Sequence, residues 1–203
     1  MATKYSLCSE ALISLGAETI TNFDIDQNTG EYDSAEKKVA ATLYDSLKRD
    51  ELTSYLWNFN KVTLELSREV ATPVTTDWAY QYAIPADFLR LIRVVDAQGN
   101  AIDFNEVGGK VLANETRAFA VYQRELTEAE FGSVPYFHTC FVARLKAEFA
   151  EPITREGSKV ERAWKEYQNK RETAKRIDAQ SNPPPPLINS GNSRWVRARA
   201  GWR

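Results

Sequence analysis

The chain has 203 residues, of which 43% are hydrophobic and 27% charged, and it carries a formal net charge of −2. These values are typical of a soluble globular protein, and the length is sufficient for a core of its own. No apolar run approaches the roughly eighteen residues of a membrane-spanning helix, so no segment is predicted to span a membrane in that way. The two cysteines, Cys8 and Cys140, are predicted to be reduced core residues rather than a disulfide pair.

The charge is unevenly distributed along the chain. The segment after Asp178 contains four arginines and no acidic residue, which leaves −6 for everything before it. A basic arm on an acidic body argues against general affinity for nucleic acids and favours one chosen partner.

Two helices are predicted near the N-terminus. The first covers Lys4 to Leu15, with Gly16 placed to end it. The second runs from about Ser34 to Tyr55, and Asp33 is its predicted N-cap, because Glu36 follows three positions later.

After the second helix, apolar and polar residues alternate along the sequence, which indicates strands. The alternation predicts one strand from Lys61 to Glu69 and another through Trp78, Tyr80 and Tyr82. Four further strands are predicted at residues 89–95, 101–104, 110–113 and 117–124, with a turn at residues 108–109. Residues 60–125 are therefore predicted to form one small antiparallel sheet.

Helical spacing returns in the last third of the chain. One predicted helix has an apolar stripe that ends near Pro152, formed by Phe137, Phe141, Leu145 and Phe149. A longer helix from about Ser158 to Ala179 has a predicted inner face of Val160, Ala163, Trp164, Tyr167, Ala174 and Ile177. The predicted fold is α+β and mainly helical: a four-helix body formed by residues 1–59 and 126–180, a small antiparallel β insertion at 60–125, and an extended C-terminal arm at 181–203.

The C-terminal arm (residues 181–203) has the composition of a docking peptide. Pro183 to Pro186 favour an extended polyproline II conformation, because proline fixes φ and lacks an amide donor. Arginine and tryptophan, which follow at Arg194, Trp195 and Trp202, are enriched at binding hot spots. The alternative is a solvated terminus without a partner.

The sequence offers little that points to catalysis. The single histidine, His138, adjoins the Phe137 stripe and is predicted to be an ordinary bundle side chain. Gly108-Gly109-Lys110 lacks the upstream glycine and the following Ser or Thr of a phosphate-binding loop. Acidic pairs such as Glu128 with Glu130 fall in predicted turns. We therefore predict that the chain is not an enzyme and holds no cofactor or metal.

The aromatic clusters are predicted to have structural roles. The segment from Tyr55 to Phe59 is expected to fill the junction between helix and sheet. Aromatic residues at Trp78, Tyr80 and Tyr82 would share one strand face, but a platform for single-stranded nucleic acid needs interleaved Lys and Arg. Asp77 and Gln81 occupy those positions, which favours packing.

Four passages, in this order, resemble the phage head-to-tail adaptors called tail tubular protein A in short-tailed phages. Tyr5 to Ala17 is similar to the family's first helix and following loop, and Trp57-Asn58-Phe59 to the aromatic triplet that closes its second helix. Trp78 to Arg90, which includes Pro85-Ala86-Asp87-Phe88-Leu89-Arg90, resembles its aromatic strand and Pro-x-Asp-Phe/Tyr-Leu-Arg segment. Trp195 to Arg199 resembles its terminal Trp-aliphatic-x-x-Arg element.

The resemblance implies a structural role in the virion rather than catalysis. Family members form a ring of about twelve subunits beneath the portal, which continues the DNA channel and carries the tail nozzle. By this resemblance, the partners would be the portal protein, a nozzle protein like tail tubular protein B and further copies of the chain, with DNA passing through the lumen and no membrane contact. The ring would assemble in the host cytoplasm. The residues that would dock in the portal are Leu187, Ile188, Arg194, Trp195, Val196, Arg197, Arg199, Trp202 and Arg203.

Two other functions remain open at this stage. The first is a nucleic-acid-binding protein that uses the basic Arg/Trp tail on DNA, which would require affinity that falls steeply with salt. The second is a small enzyme with an acidic site, which would require a pocket that gathers Asp or Glu residues with perturbed pKa values.

Overall fold

A computed structural model describes residues 2–26, 30–71, 73 and 77–181. The fold is α+β, with 46% of the described residues in helices and about 20% in strands. The described part contains five helices and two antiparallel sheets. The prediction of a four-helix body with one small inserted sheet is therefore wrong. The additional helix, Glu128–Phe131, has only four residues and is too short to give a periodic signal in the sequence, and the strands divide between two sheets.

The helices are α1 (Lys4–Leu15), α2 (Ala35–Thr53), α3 (Glu128–Phe131), α4 (Pro135–Thr154) and α5 (Gly157–Ser181). Helix α1 begins at a capping box of Thr3 and Ser6 and ends at Gly16, whose φ of 80° is left-handed and favours glycine. The N-cap of α2 is Ser34, whose hydroxyl accepts a hydrogen bond from the Lys37 amide at 3.2 Å. The predicted N-cap, Asp33, instead forms an ion pair with the Lys37 ammonium.

Pro152 lies inside α4, which continues two residues beyond the predicted end. The helix stops at Arg155, the one described non-glycine residue with positive φ. Pro135 occupies the first turn of α4, where its missing amide hydrogen removes no helical hydrogen bond.

The strands are β1 (Lys61–Glu65), β2 (Ser67–Arg68), β3 (Tyr80–Ala83), β4 (Phe88–Val95), β5 (Phe104–Val107), β6 (Lys110–Ala113) and β7 (Phe119–Arg124). One sheet has the order β1-β7-β4 and the other the order β2-β3-β6-β5, and all pairs are antiparallel. The strand predicted at residues 101–104 is wrong: only an isolated bridge from Ala101 to Val95 precedes β5.

The strand predicted from Lys61 to Glu69 crosses from one sheet to the other at Leu66. The backbone amide of Leu66 donates a hydrogen bond to the Ala118 carbonyl beside the first sheet. The backbone amide of Glu69 donates one to the Gln81 carbonyl in the second sheet. Leu66 is buried, while Leu64 in β1 is 47% exposed. The chain therefore contributes to both sheets without any turn between β1 and β2.

Two groups of buried side chains form the interior. The helices enclose the larger group, which includes Trp57, Phe137 and Phe141, and the sheets enclose a smaller one around Tyr82 and Tyr122. The two groups meet at the start of β4, because Phe88 packs with the sheet group and Leu89 with the helical group.

Candidate interaction surface

The residues predicted to dock all lie outside the described residues. They are Leu187, Ile188, Arg194, Trp195, Val196, Arg197, Arg199, Trp202 and Arg203. The last described residue is Ser181, at the end of α5. Of the region next to the C-terminal arm, the structure therefore describes the last turns of α5 and their contacts.

A buried carboxylate fixes the end of α5. Asp178 is fully buried, and its side chain accepts hydrogen bonds from the Asn58 backbone amide at 2.8 Å and from the Tyr136 hydroxyl at 3.0 Å. The Asn58 side-chain amide donates to the Asp178 carbonyl at 3.0 Å. A negative charge near a helix C-terminus is unfavourable, so these hydrogen bonds must offset both that repulsion and the lost hydration. We call Asp178, Asn58 and Tyr136 the arm-root cluster.

The neighbours of the arm-root cluster hold its donors in place. Burial, followed by the hydrogen bond to Asp178, raises the pKa of Tyr136 to about 12, so its hydroxyl remains a donor at neutral pH. Trp57, beside Asn58, is fully buried, and its indole N–H donates to the Glu51 carbonyl at 3.0 Å. The ring of Phe59 packs against that of Tyr136, with centroids 6.0 Å apart. The Trp57-Asn58-Phe59 triplet thus places a polar residue between two anchored rings.

An open groove of about 680 Å³ lies between α4 and α5, next to the arm-root cluster. Ala174 and Ile177 of α5 face Pro135, Tyr136 and Thr139 of α4 across it. Its lining also includes Thr173, and Glu166, Asn169 and Lys170 provide polar groups. Ile177 is 40% exposed. The prediction that Ile177 belongs to the inner face of α5 is therefore wrong, since it lines an open groove.

A second buried carboxylate, Glu51 of α2, lies under the middle of α5. It is fully buried and accepts a hydrogen bond from the Tyr167 hydroxyl at 2.6 Å. Cys140 donates weakly to it at 3.7 Å, and the Arg171 guanidinium lies 3.7 Å away. Burial and the bond to Glu51 raise the pKa of Tyr167 well above its ordinary value, so this hydroxyl is also a permanent donor.

Sequence reasoning missed both carboxylates, although helical spacing gave a signal for them. Asp178 follows Ala174 by four positions, and Glu51 follows Leu47 by four, so each continues a buried stripe. Their charge argued for solvent exposure, since isolated Asp and Glu are rarely buried. Their donors could not be identified from the sequence, because Asn58 and Tyr167 lie 120 and 116 residues away.

The residues considered for catalysis are separate in the structure. His138 Nε2 lies 3.6 Å from the Glu10 carboxylate on the surface of α4. Glu128 accepts a hydrogen bond from Lys48 at 3.1 Å, whereas Glu130 pairs with Arg124. Within the described ranges, no three His, Cys, Asp or Glu side chains are grouped as metal ligands would be. No helix in those ranges is both long and apolar enough to cross a membrane.

Three of the four passages that suggested the family resemblance can be located in the structure. Tyr5 to Ala17 covers α1 and its left-handed glycine, and Trp57-Asn58-Phe59 carries the arm-root donor Asn58. Trp78 to Arg90 spans β3 and the contact between the two buried groups at Phe88 and Leu89. Trp195 to Arg199 lies outside the described residues. No protein-family model matches this sequence, and no curated protein shows significant similarity to it.

Proposed function

We propose that the chain is a structural virion protein, a head-to-tail adaptor that docks under the portal, continues the DNA channel and carries the tail nozzle. The observation that carries this proposal is the origin of the C-terminal arm. A segment with four prolines, four arginines and two tryptophans begins within a few residues of the buried Asp178, which fixes the end of α5.

The anchoring favours a binding role for the arm. Asp178 ties the end of α5 to both α4 and the segment after α2, so a docking peptide that follows α5 would start from a defined position. The four prolines reduce the conformational freedom that docking would remove. Arg194, Arg197 and Arg199 would pair with portal carboxylates in two-pronged geometry, and Trp195 and Trp202 would fill apolar pockets.

Assembly as a ring would strengthen a weak individual contact. In a ring of about twelve copies each arm would bind independently, so the whole ring would dissociate far more slowly than one arm. The body without the arm carries −6, which suits a channel through which DNA must slide, because added lysines and arginines would bind phosphates.

Electron microscopy of the full chain mixed with the portal ring of the same phage tests the proposal. We expect the images to show a ring of adaptors on the portal, with density for the arms in portal grooves. A chain that ends at Ser181 should remain folded by circular dichroism and should not join the portal. Normal assembly by this truncation would contradict the docking role.

Lysine substitutions separate the proposed role from DNA binding by the tail. Replacing Arg194, Arg197 and Arg199 by lysine keeps the charge but removes the planar two-pronged donors. Portal binding should weaken at least tenfold, while any salt-dependent DNA binding should change little. Strong duplex binding by the full chain, together with no portal binding, would favour the nucleic-acid-binding function instead.

A further inference from the structure

The groove between α4 and α5 has an apolar end without a partner among the described residues. Ile177 is 40% exposed there, beside the buried Ala174 and the partly buried Tyr136. From Glu166 to Ile177 the groove follows twelve residues of α5, a rise of about 16 Å along the helix. A short apolar peptide segment fits such a length.

The chain itself contains one segment of that description close by. Leu187 and Ile188 are adjacent apolar residues that follow the four prolines, and they are the first large apolar side chains after α5. At about 3.1 Å per residue in polyproline II, the step from Asn182 to Leu187 covers about 16 Å. An extended run of this length would place the pair about 16 Å from Asn182, away from the end of α5.

The proline run argues that the groove in question belongs to another copy of the chain. The same protomer's groove begins at Ile177, one turn before Ser181, so the chain would have to reverse direction at Ser181 and Asn182. A residue before proline disfavours the α conformation that tight turns need, and prolines hold φ fixed. The first residues suited to a reversal, Asn189 to Gly191, come after the apolar pair.

We propose that Leu187 and Ile188 of one copy bind in the α4–α5 groove of a second copy. The prolines would deliver the pair outward from one protomer, and Ile177, Ala174 and Tyr136 of the other would receive it. Leu187 and Ile188 would then join copies of the chain instead of docking in the portal, as the resemblance implies for them. The arginine-tryptophan part from Arg194 would stay free for another partner. This inference does not rest on the proposed function, because it involves no portal.

Disulfide trapping between two single-cysteine chains tests the proposal without any portal. A Thr173→Cys chain is mixed with a longer, tagged Asn189→Cys chain under mild oxidation, and disulfide-linked mixed dimers are counted by mass. Thr173 lines the groove, and Asn189 follows the apolar pair. The native Cys8 and Cys140 are both fully buried and should not compete.

The matched control is Glu172→Cys, which neighbours Thr173 on α5 but lines a different pocket. We expect at least tenfold more mixed dimer with Thr173→Cys than with this control. Adding Ile177→Lys to the Thr173→Cys chain should lower the yield at least tenfold, with the thermal melting curve verifying that the variant is folded.

Three results would overturn the proposal. Equal yields from the Thr173 and Glu172 chains would mean random collision, and absence of mixed dimer would mean no contact. A chain that carries both Thr173→Cys and Asn189→Cys and forms its disulfide internally would show that the arm folds back on its own groove. None of these results bears on portal binding, which is measured separately.

Discussion

The backbone amide of Asn58 donates a hydrogen bond of 2.8 Å to the fully buried carboxylate of Asp178, which lies 120 residues later in the chain. This contact joins the connection between α2 and β1 to the end of α5. It combines with the Tyr136 hydroxyl to occupy both carboxylate oxygens. The end of the helical body is therefore fixed by polar contacts inside the protein rather than by surface ion pairs.

Asp178→Ala should lower the free energy of unfolding by about 2–4 kcal/mol, because it removes the buried acceptor of the partly buried Asn58 amide and Tyr136 hydroxyl. Chemical denaturation at neutral pH measures the change. Tyr136→Phe removes one donor and should lower the free energy of unfolding by only about 1 kcal/mol. If the alanine variant were as stable as the wild type, the arm-root cluster would have no structural importance.

Glu51→Ala should destabilise the protein by about 3–5 kcal/mol. The substitution removes the acceptor of the Tyr167 hydroxyl and leaves the Arg171 charge without its buried partner. Glu51→Gln keeps an oxygen acceptor for Tyr167 and should have less than half of that effect. Equilibrium urea unfolding of both variants provides the comparison. Equal losses for Ala and Gln would mean that the charge, not the hydrogen bond, dominates.

The two tryptophans of the helical group should differ in their energetic contribution. Trp57 is fully buried and hydrogen-bonded, so Trp57→Ala should cost about 3–5 kcal/mol of stability. Trp164 is only partly buried and stacks with the Arg144 guanidinium at 5.2 Å, so Trp164→Ala should cost about 1–2 kcal/mol. Melting temperatures of the two variants check the order, and a larger loss at Trp164 would contradict this packing.

Lowering the pH should remove the stabilisation that Glu130 gives to the fold. Its hydrogen bond to Arg124 lowers the pKa of Glu130 from an ordinary value of 4.5 to about 2, so the carboxylate stabilises the fold above pH 4.5. That contribution is lost as the pH falls from 4.5 towards 2. Because the side chain is about a third exposed, it amounts to about 1 kcal/mol.

The pH dependence of the unfolding free energy between pH 5 and 2 tests this assignment. In Glu130→Gln the slope should be shallower than in the wild type. Glu65→Gln is the matched control, because Glu65 also pairs with an arginine but is more exposed. If the control flattened the slope as much as Glu130→Gln, general charge loss would explain the effect.

The long helices were predictable because the spacing of their apolar residues agrees with the residues that begin and end them. Gly16 follows a stripe that begins at Tyr5, and Ser158 to Ala179 lies within α5. The sheets were less predictable, because alternation reports which face of a strand is buried but not which strand it pairs with. Leu66 continues the alternation of Val62 and Leu64 while the chain crosses between sheets.

The candidate surface was only partly predictable for a related reason. The composition of the arm is visible in the sequence, and so is the aromatic triplet around Asn58. The role of Asp178 depends on donors from two distant elements, and no local pattern brings Asn58 and Tyr136 together. The groove is likewise a product of how α4 packs on α5.

The short connection between α2 and β1, together with the end of α2, is held by hydrogen bonds at several points, and this affects how the protein bears load. The Gln123 side chain in β7 donates hydrogen bonds to the Leu52 and Tyr55 carbonyls at 3.1 and 2.8 Å. The Asn58 backbone amide donates a hydrogen bond to the Asp178 carboxylate. Tension applied at the C-terminus would pass from α5 through this connection into β7. The last turns of α5 would therefore resist unwinding under a pull, because the strain is shared with a sheet strand.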